Sequence, residues 1–408
     1  MKKDASASLL QAAPALTTPQ AKLQQIAACL QQPLPLAKRP GFSGGQLGPF
    51  LFLYAYATHT GSEAAAIAAQ GLLHAAVRQF TTLAPSLTYY RELVEFGTML
   101  LYLREQEYID DSFEPLLQQV DLRATHGLQI LAQQQQYDPF VGYLPMAWYF
   151  LRRGATAPAS IPALHLVADT LLRDYQPVDD GAAGFWYSGL FGKRQVYLGW
   201  SHGQAAIMLF LTQLLATDFD HRRAELRHML AGVAHYLILP HEHTGRNQHP
   251  DIVGQPGPSD TLNLCYGDLG IGFALLQAAH SLANNGLRQH ALRTLTLAAA
   301  RRHPAHCNVH DASLIYGASG NALFFKHLQR EYPAQPTFGE AATYWYEQAQ
   351  QLSQHPELVA GYQNHYNQHD ASARYSLFEG LAGFGLVLLE FEVDTIHSMP
   401  LLGYPSCL

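Results

Sequence analysis

Histidine, cysteine and tyrosine side chains stand directly in front of glycines at three similar places in the chain. These places are WSHGQAA at 200–206, LCYGDLG at 264–270 and LIYGASG at 314–320. An imidazole transfers protons or binds metals near neutral pH, and a thiolate is both a nucleophile and a metal ligand. His202 and Cys265 bring such groups to the first two places, whereas Ile315 and Tyr316 stand at the third.

A glycine followed by a long apolar run recurs seven times, and this repeat is the strongest organising signal in the sequence. Successive marker glycines are 45 to 64 residues apart, which suits a hairpin of two helices with its loops. Several markers have a second small residue three positions later, on the same helix face, where it permits close approach of a neighbouring backbone. The markers are Gly45, Gly97, Gly142, Gly203, Gly267, Gly317 and Gly380.

The pattern of apolar residues predicts an all-α fold with two layers of helices. The runs after the glycines are apolar nearly all round, as in helices buried on every side, whereas segments such as 221–238 and 338–352 are amphipathic. Strand signals are scarce. We expect an α/α toroid of seven inner and seven outer helices, because a closed ring buries the faces that an open helical array must cap. The open array is the alternative. Residues 1–40 are expected to be a helical lead-in, and 41–408 a single domain.

Composition excludes several classes of protein. Hydrophobic residues make up 48% of the 408 residues and charged residues 14%, which excludes a disordered chain or a coiled coil. A net charge of −7 without a basic stripe argues against nucleic-acid binding. No apolar segment reaches the ~18–20 residues of a membrane span, and the N-terminus lacks the apolar stretch of a signal peptide. The four cysteines, Cys29, Cys265, Cys307 and Cys407, are far apart, so we expect a reducing, cytoplasmic location.

The inner helices of such a toroid run parallel, so the residues before the marker glycines should meet around one cavity. Asp138, four residues before its marker, joins them. Base, acid and carboxylate groups would then converge although they are distant in the sequence. The residues before the markers are Gly44, Phe96, Val141, His202, Tyr266, Tyr316 and Glu379.

Two long irregular loops, 176–199 and 239–263, lead directly to this predicted mouth. They are rich in Gly, Pro, Asp and Asn, and loops of this length in a compact domain are usually functional. Trp186 and Trp200 are candidates, with Glu379, for contacting a peptide substrate. The alternative for the two tryptophans is that they hold the first long loop in place.

These motifs resemble the lanthionine synthetase C-like family, the cyclases of lantibiotic biosynthesis and their relatives. The resemblance extends from GFSGGQLG at 41–48 to FEGLAGFGLVLLE at 378–390. It implies a seven-fold α/α toroid that holds zinc at one mouth. The zinc activates a cysteine thiol of a precursor peptide for addition to a dehydrated serine or threonine. It also implies a peptide substrate or a thiol compound such as glutathione as ligand, and leaves a dehydratase-type enzyme open as a partner.

The same resemblance shows that the zinc-ligand set is incomplete. Its first motif, Cys-Tyr-Gly, is present at 265–267, but the later Cys-His-Gly motif reads Ile-Tyr-Gly at 315–317. Catalytic zinc usually needs three protein ligands. Isoleucine has no donor atom and a neutral phenol is a poor ligand, so only Cys265 is retained. We therefore expect a degenerate site without a cofactor.

A rebuilt zinc site is the alternative to a site without metal. Cys307 and His310 precede the degenerate motif and could join Cys265. Their spacing matches no zinc module that we can justify. The histidines nearby would otherwise lie in solvated loops.

The resemblance gives His202 as the family's histidine and Asp138 as its acidic residue. The family's arginine, four residues before the ligand cysteine, falls at Thr261 and is missing. Without metal, a thiol keeps a pKa near about 8.5, so a protein base must activate it. His202, paired with Asp138, would be that base, and Tyr316 or Tyr266 would give a proton to the enolate.

Each of these residues also has a purely structural interpretation. Cys265 would pack as a small hydrophobe, His202 would cap an inner helix, and Asp138 before Pro139 would start a turn. Three functions therefore stay open. They are a cyclase-like enzyme, a non-catalytic peptide-binding component and, more weakly, a glycan-acting toroid that uses a carboxylate pair such as Asp138 and Glu379.

Overall fold

Two layers of α-helices form the framework of the described structure. The computed structural model describes residues 18–36, 39–255 and 257–393. The inner helices are α2 (Leu47–Thr60), α4 (Tyr89–Glu105), α6 (Leu144–Arg153), α8 (Gln204–Leu215), α10 (Asp268–Leu282), α12 (Ala318–Glu331) and α14 (Leu381–Glu392). The outer helices are α1 (Pro19–Leu30), α3 (Glu63–Thr81), α5 (Glu114–Gln133), α7 (Ser160–Asp174), α9 (Arg223–Ile238), α11 (Asn285–Ala299) and α13 (Pro336–Gln351).

The inner helices form a closed ring. The last of them, α14, packs against both α12 and the first, α2. Helix α1 packs against α14 and α2 and so takes the outer position of the seventh hairpin. The described helix of the 1–40 segment is thus part of the ring. The predicted α/α toroid of seven inner and seven outer helices is confirmed.

Burial separates the two layers as the apolar pattern predicts. Every residue of α8 except Gln213 is buried, whereas α11 buries a single stripe that includes Leu287, Ala291 and Leu295. The inner helices are apolar because the ring surrounds them. Within the described ranges, no helix is both long enough and apolar enough to cross a membrane.

Glycines near the starts of the inner helices other than α4 let the preceding loop cross the first turn of the helix. The amide of Ala318 donates to the carbonyl oxygen of Asp311 at 3.0 Å, which satisfies one of the free N–H groups of α12. A Cβ atom on Gly317 would lie 2.6 Å from that same oxygen. A Cβ atom on Gly203, which precedes α8, would likewise collide with the backbone carbonyl of Tyr197. The glycine is therefore required by the close approach of the chain's own loop.

The second repeat differs from the prediction. Helix α4 begins at Tyr89, so Gly97 lies inside the helix and does not mark its start. Phe96 is buried and stacks on Phe80 of the outer helix α3, with ring centroids 4.4 Å apart. The prediction that Phe96 lies at the mouth is wrong, because this helix begins eight residues before its glycine. The mouth receives Arg91 from the first turn of α4 instead.

The first long loop contains the short strands β1 (Gln176–Val178) and β2 (Ala183–Phe185), which pair antiparallel. Strand β2 packs against α9. This hairpin fixes the loop on the outer layer before the chain turns inward toward α8.

Candidate functional site

A cavity of about 270 Å³ lies at the mouth where the inner helices begin. Its wall comes from the first turn of α4 and from the loops that precede α2, α6, α8, α12 and α14. Of the residues predicted for the mouth, Gly44, His202, Tyr316 and Glu379 line it. The side chains lining the cavity include Arg39, Ser43, Arg91, Phe140, His202, Ile315, Tyr316, Asn367, Asp370, Phe378 and Glu379.

Asp138 and His202 form a hydrogen-bonded pair at this cavity. The Asp138 side chain is 1% exposed, and its Oδ2 lies 2.7 Å from Nδ1 of His202. Its Oδ1 accepts from the amides of Phe140 at 2.8 Å and Val141 at 3.1 Å. Because the carboxylate is an acceptor, Nδ1 carries the proton of the neutral imidazole. Nε2 is then an acceptor, and it has no hydrogen-bond partner among the described residues.

Aromatic rings surround the imidazole of His202. Its centroid lies 5.6 Å from that of Tyr197, 5.8 Å from that of Phe140 and 6.1 Å from that of Tyr266. Burial raises the pKa of Tyr266 above its ordinary value, so the group is a neutral phenol at neutral pH. The rings restrict the approach to His202 to the side of the cavity.

Cys265 is a buried, neutral thiol in contact with Tyr316. Burial raises the pKa of Cys265 to about 12, and hydrogen bonds from the side chains of Ser201 and Tyr316 offset this only in part. The negative charge of an ionised Cys265 and burial both raise the pKa of Tyr316. Neither group is therefore ionised near neutral pH.

The residues at the family's zinc positions do not fit zinc. Ile315 is buried and has no donor atom, and Cys265 offers a single thiol that favours its protonated form. His310 stacks on His365 at a ring distance of 4.3 Å. No three histidine, cysteine, aspartate or glutamate side chains in the described ranges come together as a group that could hold a metal ion. Cys265, Cys307 and His310 are not such a group in these ranges.

Glu379 lines the cavity from the loop before α14. Its Oε2 accepts from Nδ2 of Asn367 at 2.5 Å and from Nδ2 of Asn364 at 3.4 Å. Burial raises its pKa, while these amides lower it. The two carboxylates of the glycan-acting hypothesis therefore have separate partners, since Asp138 is bonded to His202.

The two tryptophans have different surroundings. Trp186 is 1% exposed, its Nε1 donates to the carbonyl of Leu171 at 2.8 Å, and its backbone bonds twice with the side chain of Gln204. It holds the first long loop in place and does not line the cavity. Trp200 is also buried, and its ring packs edge-on against Phe140 at 5.4 Å, behind the cavity wall.

A second aspartate–histidine pair holds the other long loop. His249 is 3% exposed, and its Nδ1 lies 3.0 Å from Oδ1 of Asp268, the first residue of α10. The amide of Gln248 donates to the other oxygen of Asp268 at 2.8 Å. These contacts attach the loop at 239–263 to the start of an inner helix.

Sequence reasoning missed Arg91 and Phe140. Phe140 stands two residues after Asp138, so the Asp-Pro-Phe stretch carried a signal for it. Arg91 had none, because the start of α4 lacks the glycine that marks the other helices. Both lie in the cavity wall beside His202.

Comparisons with known proteins agree with this architecture. The sequence profile named Lanthionine synthetase C-like protein matches residues 38–403. The solved structure of nisin cyclase matches with a TM-score of 0.66 at 14% identity, over 92% of this chain and 93% of that chain. A structure from Salmonella enterica serovar Paratyphi A, described as a "possible member of GH105 family", matches at a TM-score of 0.38 and 11% identity, over 78% of this chain and 89% of that chain. No curated protein matches the chain. The chain belongs to the lanthionine synthetase C-like family.

Proposed function

We propose that this protein is a cyclase-like component of lanthipeptide-type peptide modification that works without zinc. It would bind a dehydrated peptide at the mouth of the toroid and use His202 as the general base for a peptide thiol. The observation that carries this proposal is the 2.7 Å contact between Asp138 Oδ2 and His202 Nδ1 at the cavity. Family membership and the fold of nisin cyclase support the substrate class.

The first step is removal of the thiol proton. Nε2 of His202 accepts the S–H proton while the sulfur attacks the β-carbon of the dehydrated residue. Asp138, buried beside Nδ1, stabilises the imidazolium that forms. A positioned base of this kind raises the reaction rate by about 10²- to 10⁴-fold. That is sufficient for an alkene that is already electrophilic.

The second step returns a proton to the α-carbon. Formation of the S–C bond moves the π electrons of the alkene into an enolate. Tyr316, a neutral phenol in the cavity wall, donates its proton to the α-carbon and is reprotonated by the imidazolium. Tyr266, with its ring 6.1 Å from His202, is the alternative donor. Proton and electron counts balance, and the peptide keeps its mass.

A peptide-binding component without catalysis is the second candidate. It is favoured by the residues at the zinc positions, where Ile315 has no donor atom and Cys265 is a buried neutral thiol. In this role the protein would present a peptide, or a thiol compound, to a dehydratase-type partner enzyme. Both candidates are proposed to work in the cytoplasm, since Cys29, Cys265 and Cys307 are free.

The test uses metal-chelated protein and a peptide that contains one dehydroalanine and one cysteine. Alkylation followed by mass spectrometry counts the remaining free thiols, because cyclisation does not change the mass. We expect the free thiol of the peptide to be consumed with the wild-type protein and to remain with His202→Ala. His221→Ala is the matched control, since His221 is paired with Asp169 at 2.9 Å on an outer helix.

Three outcomes separate the candidates. Cyclisation by wild type that His202→Ala abolishes supports the enzyme. Peptide binding without loss of the thiol supports the binding component. Cyclisation that requires bound zinc contradicts the metal-free mechanism.

A further inference from the structure

Arg91 brings a guanidinium into the cavity that contains His202 and Tyr316. Its Cζ lies 5.9 Å from the ring centroid of Phe140, and the centroid of His202 lies 5.8 Å from the same point. Both groups therefore lie beside the ring of Phe140, and the guanidinium and the imidazole are near each other in the cavity.

Arg91 forms an ion pair with Glu95, but its guanidinium makes no hydrogen bond to any residue that the structure describes. Nε lies 3.6 Å from Oε1 of Glu95, which is too long for a hydrogen bond, and it has no other partner within the described ranges. An arginine has five N–H donors in a fixed plane. By contrast, Arg153 in the same inner layer bonds to both Asp121 and Glu114. The ion pair with Glu95 thus positions Arg91, while the N–H groups of its guanidinium stay available to a ligand in the cavity.

Two buried carboxylates hold Arg91 and the loop before α2 in place. Glu92 accepts from the amide of Gly41 at 2.8 Å, and Glu95 accepts from the amide of Ser43 at 3.0 Å. Burial and mutual repulsion raise the pKa of Glu92 to about 7, and burial raises the pKa of Glu95. The pair therefore carries less than two negative charges near neutral pH, and part of the charge of Arg91 stays available to the cavity.

We propose that Arg91 is a catalytic residue that binds the carbonyl oxygen of the dehydrated residue and stabilises the enolate formed on thiol addition. This inference rests on the proposed function. As the S–C bond forms, the alkene electrons move to the carbonyl oxygen, and the N–H groups of Arg91 donate to it. The thiol proton goes to His202 Nε2, and Tyr316 protonates the α-carbon. Fixed hydrogen-bond donors at a developing oxyanion usually make the largest single contribution to the rate enhancement of an enzyme. Removal of one such donor lowers kcat by about 10²- to 10³-fold.

The test separates rate from binding in Arg91→Gln and Arg91→Lys. The cyclisation rate is measured as the loss of free thiol from the dehydroalanine peptide, and its dependence on peptide concentration gives kcat and KM. Binding is the fluorescence anisotropy of a labelled peptide in which serine replaces the cysteine, so that no reaction follows. Arg302→Gln is the control, because Arg302 pairs with Glu340 on α13, away from the cavity. Circular dichroism checks that each variant is folded.

We expect Arg91→Gln to lower kcat by about 10²- to 10³-fold while the Kd of the serine peptide changes less than about threefold. Arg91→Lys, which keeps the charge, should recover part of the rate. An unchanged kcat in Arg91→Gln, or a Kd that weakens as much as the rate falls, would overturn the inference and leave the role of His202 intact. If wild type binds the peptide without any cyclisation, the proposed enzyme fails and the catalytic role of Arg91 fails with it.

Discussion

Tyr316 and Cys265 lie beside each other across the starts of two neighbouring repeats, α12 and α10, so that a negative charge on Cys265 would raise the pKa of Tyr316. In the family pattern, this is where a Cys-His-Gly motif and a Cys-Tyr-Gly motif supply zinc ligands. Here a phenol and a neutral thiol stand at these positions, and Ile315 is a buried hydrophobe.

Restoring the missing ligands should restore metal binding. In the double variant Ile315→Cys and Tyr316→His, two thiolates and an imidazole would stand beside each other, the donor set of a catalytic zinc site. We expect about one zinc per chain by mass spectrometry of the metal content, and cobalt substitution should give the absorption of a tetrahedral thiolate site. Ile315→Ser with Tyr316→Phe is the control that changes the same positions without adding ligands.

Two results would contradict this prediction. If the double variant stays free of zinc, then 315–317 does not occupy the ligand position of the family. If wild type already carries one tightly bound zinc per chain, then the site is not degenerate.

Glu92 should make the free energy of unfolding depend on pH. Its pKa of about 7 in the folded protein lies above the ordinary value of 4.5. Between these values the folded state holds a proton that the unfolded chain has lost, so stability falls as the pH rises through this window. Glu92→Gln removes the titration and keeps an acceptor for the amide of Gly41.

Urea unfolding at pH 4 and pH 8 tests this assignment. We expect Glu92→Gln to match wild type at pH 4 and to exceed its free energy of unfolding at pH 8 by about 1–3 kcal/mol. Glu347→Gln on the exposed face of α13 serves as control and should show no such difference. A variant that is less stable than wild type at pH 8 would mean that the folded protein stabilises the ionised form of Glu92, which requires a folded-state pKa below the ordinary value.

The repeat architecture could be predicted because its signals are local. The amphipathic segments predicted at 221–238 and 338–352 begin within two residues of α9 and α13. The prediction for the second repeat was wrong because Gly97 permits a close helix contact instead of marking a helix start. A Cβ atom there would lie 3.2 Å from Cζ of Tyr149. An apolar run gives the face of a helix, but it does not give the residue at which the helix begins.

The candidate site could be predicted only in part. His202, Tyr316 and Glu379 precede glycines, and that position carries them to the mouth. Arg91 lies in the first turn of a helix without such a glycine, so no local pattern indicates it. The bond between Asp138 and His202 joins residues 64 positions apart. Its geometry depends on how two loops cross, which spacing does not encode.

The close approach at Gly317 should make alanine costly there. A Cβ atom would lie 2.6 Å from the carbonyl oxygen of Asp311, so the loop or the helix must move. We expect Gly317→Ala to lower the free energy of unfolding by about 1–3 kcal/mol. Gly286→Ala in α11 is the matched control, since a Cβ there meets only Oδ1 of Asn284 at 3.5 Å. That change should stabilise the protein by about 0.5–1 kcal/mol in urea unfolding. Equal effects at the two positions would contradict the role of the crossing loop.

Asp138→Asn should disable His202 without removing it. The amides of Phe140 and Val141 both donate to Oδ1, so the substituted side chain keeps its oxygen on that side and turns its NH₂ group toward the imidazole. That NH₂ donates to Nδ1 and moves the imidazole proton to Nε2, which then cannot accept a proton from a thiol. We expect peptide binding to be retained and the cyclisation rate to fall by about 10²- to 10⁴-fold.

Asp169→Asn, which changes the partner of the surface residue His221, should leave the rate unchanged. If Asp138→Asn cyclises the peptide as fast as wild type, Nε2 of His202 is not the base, and the thiol must be activated elsewhere in the cavity.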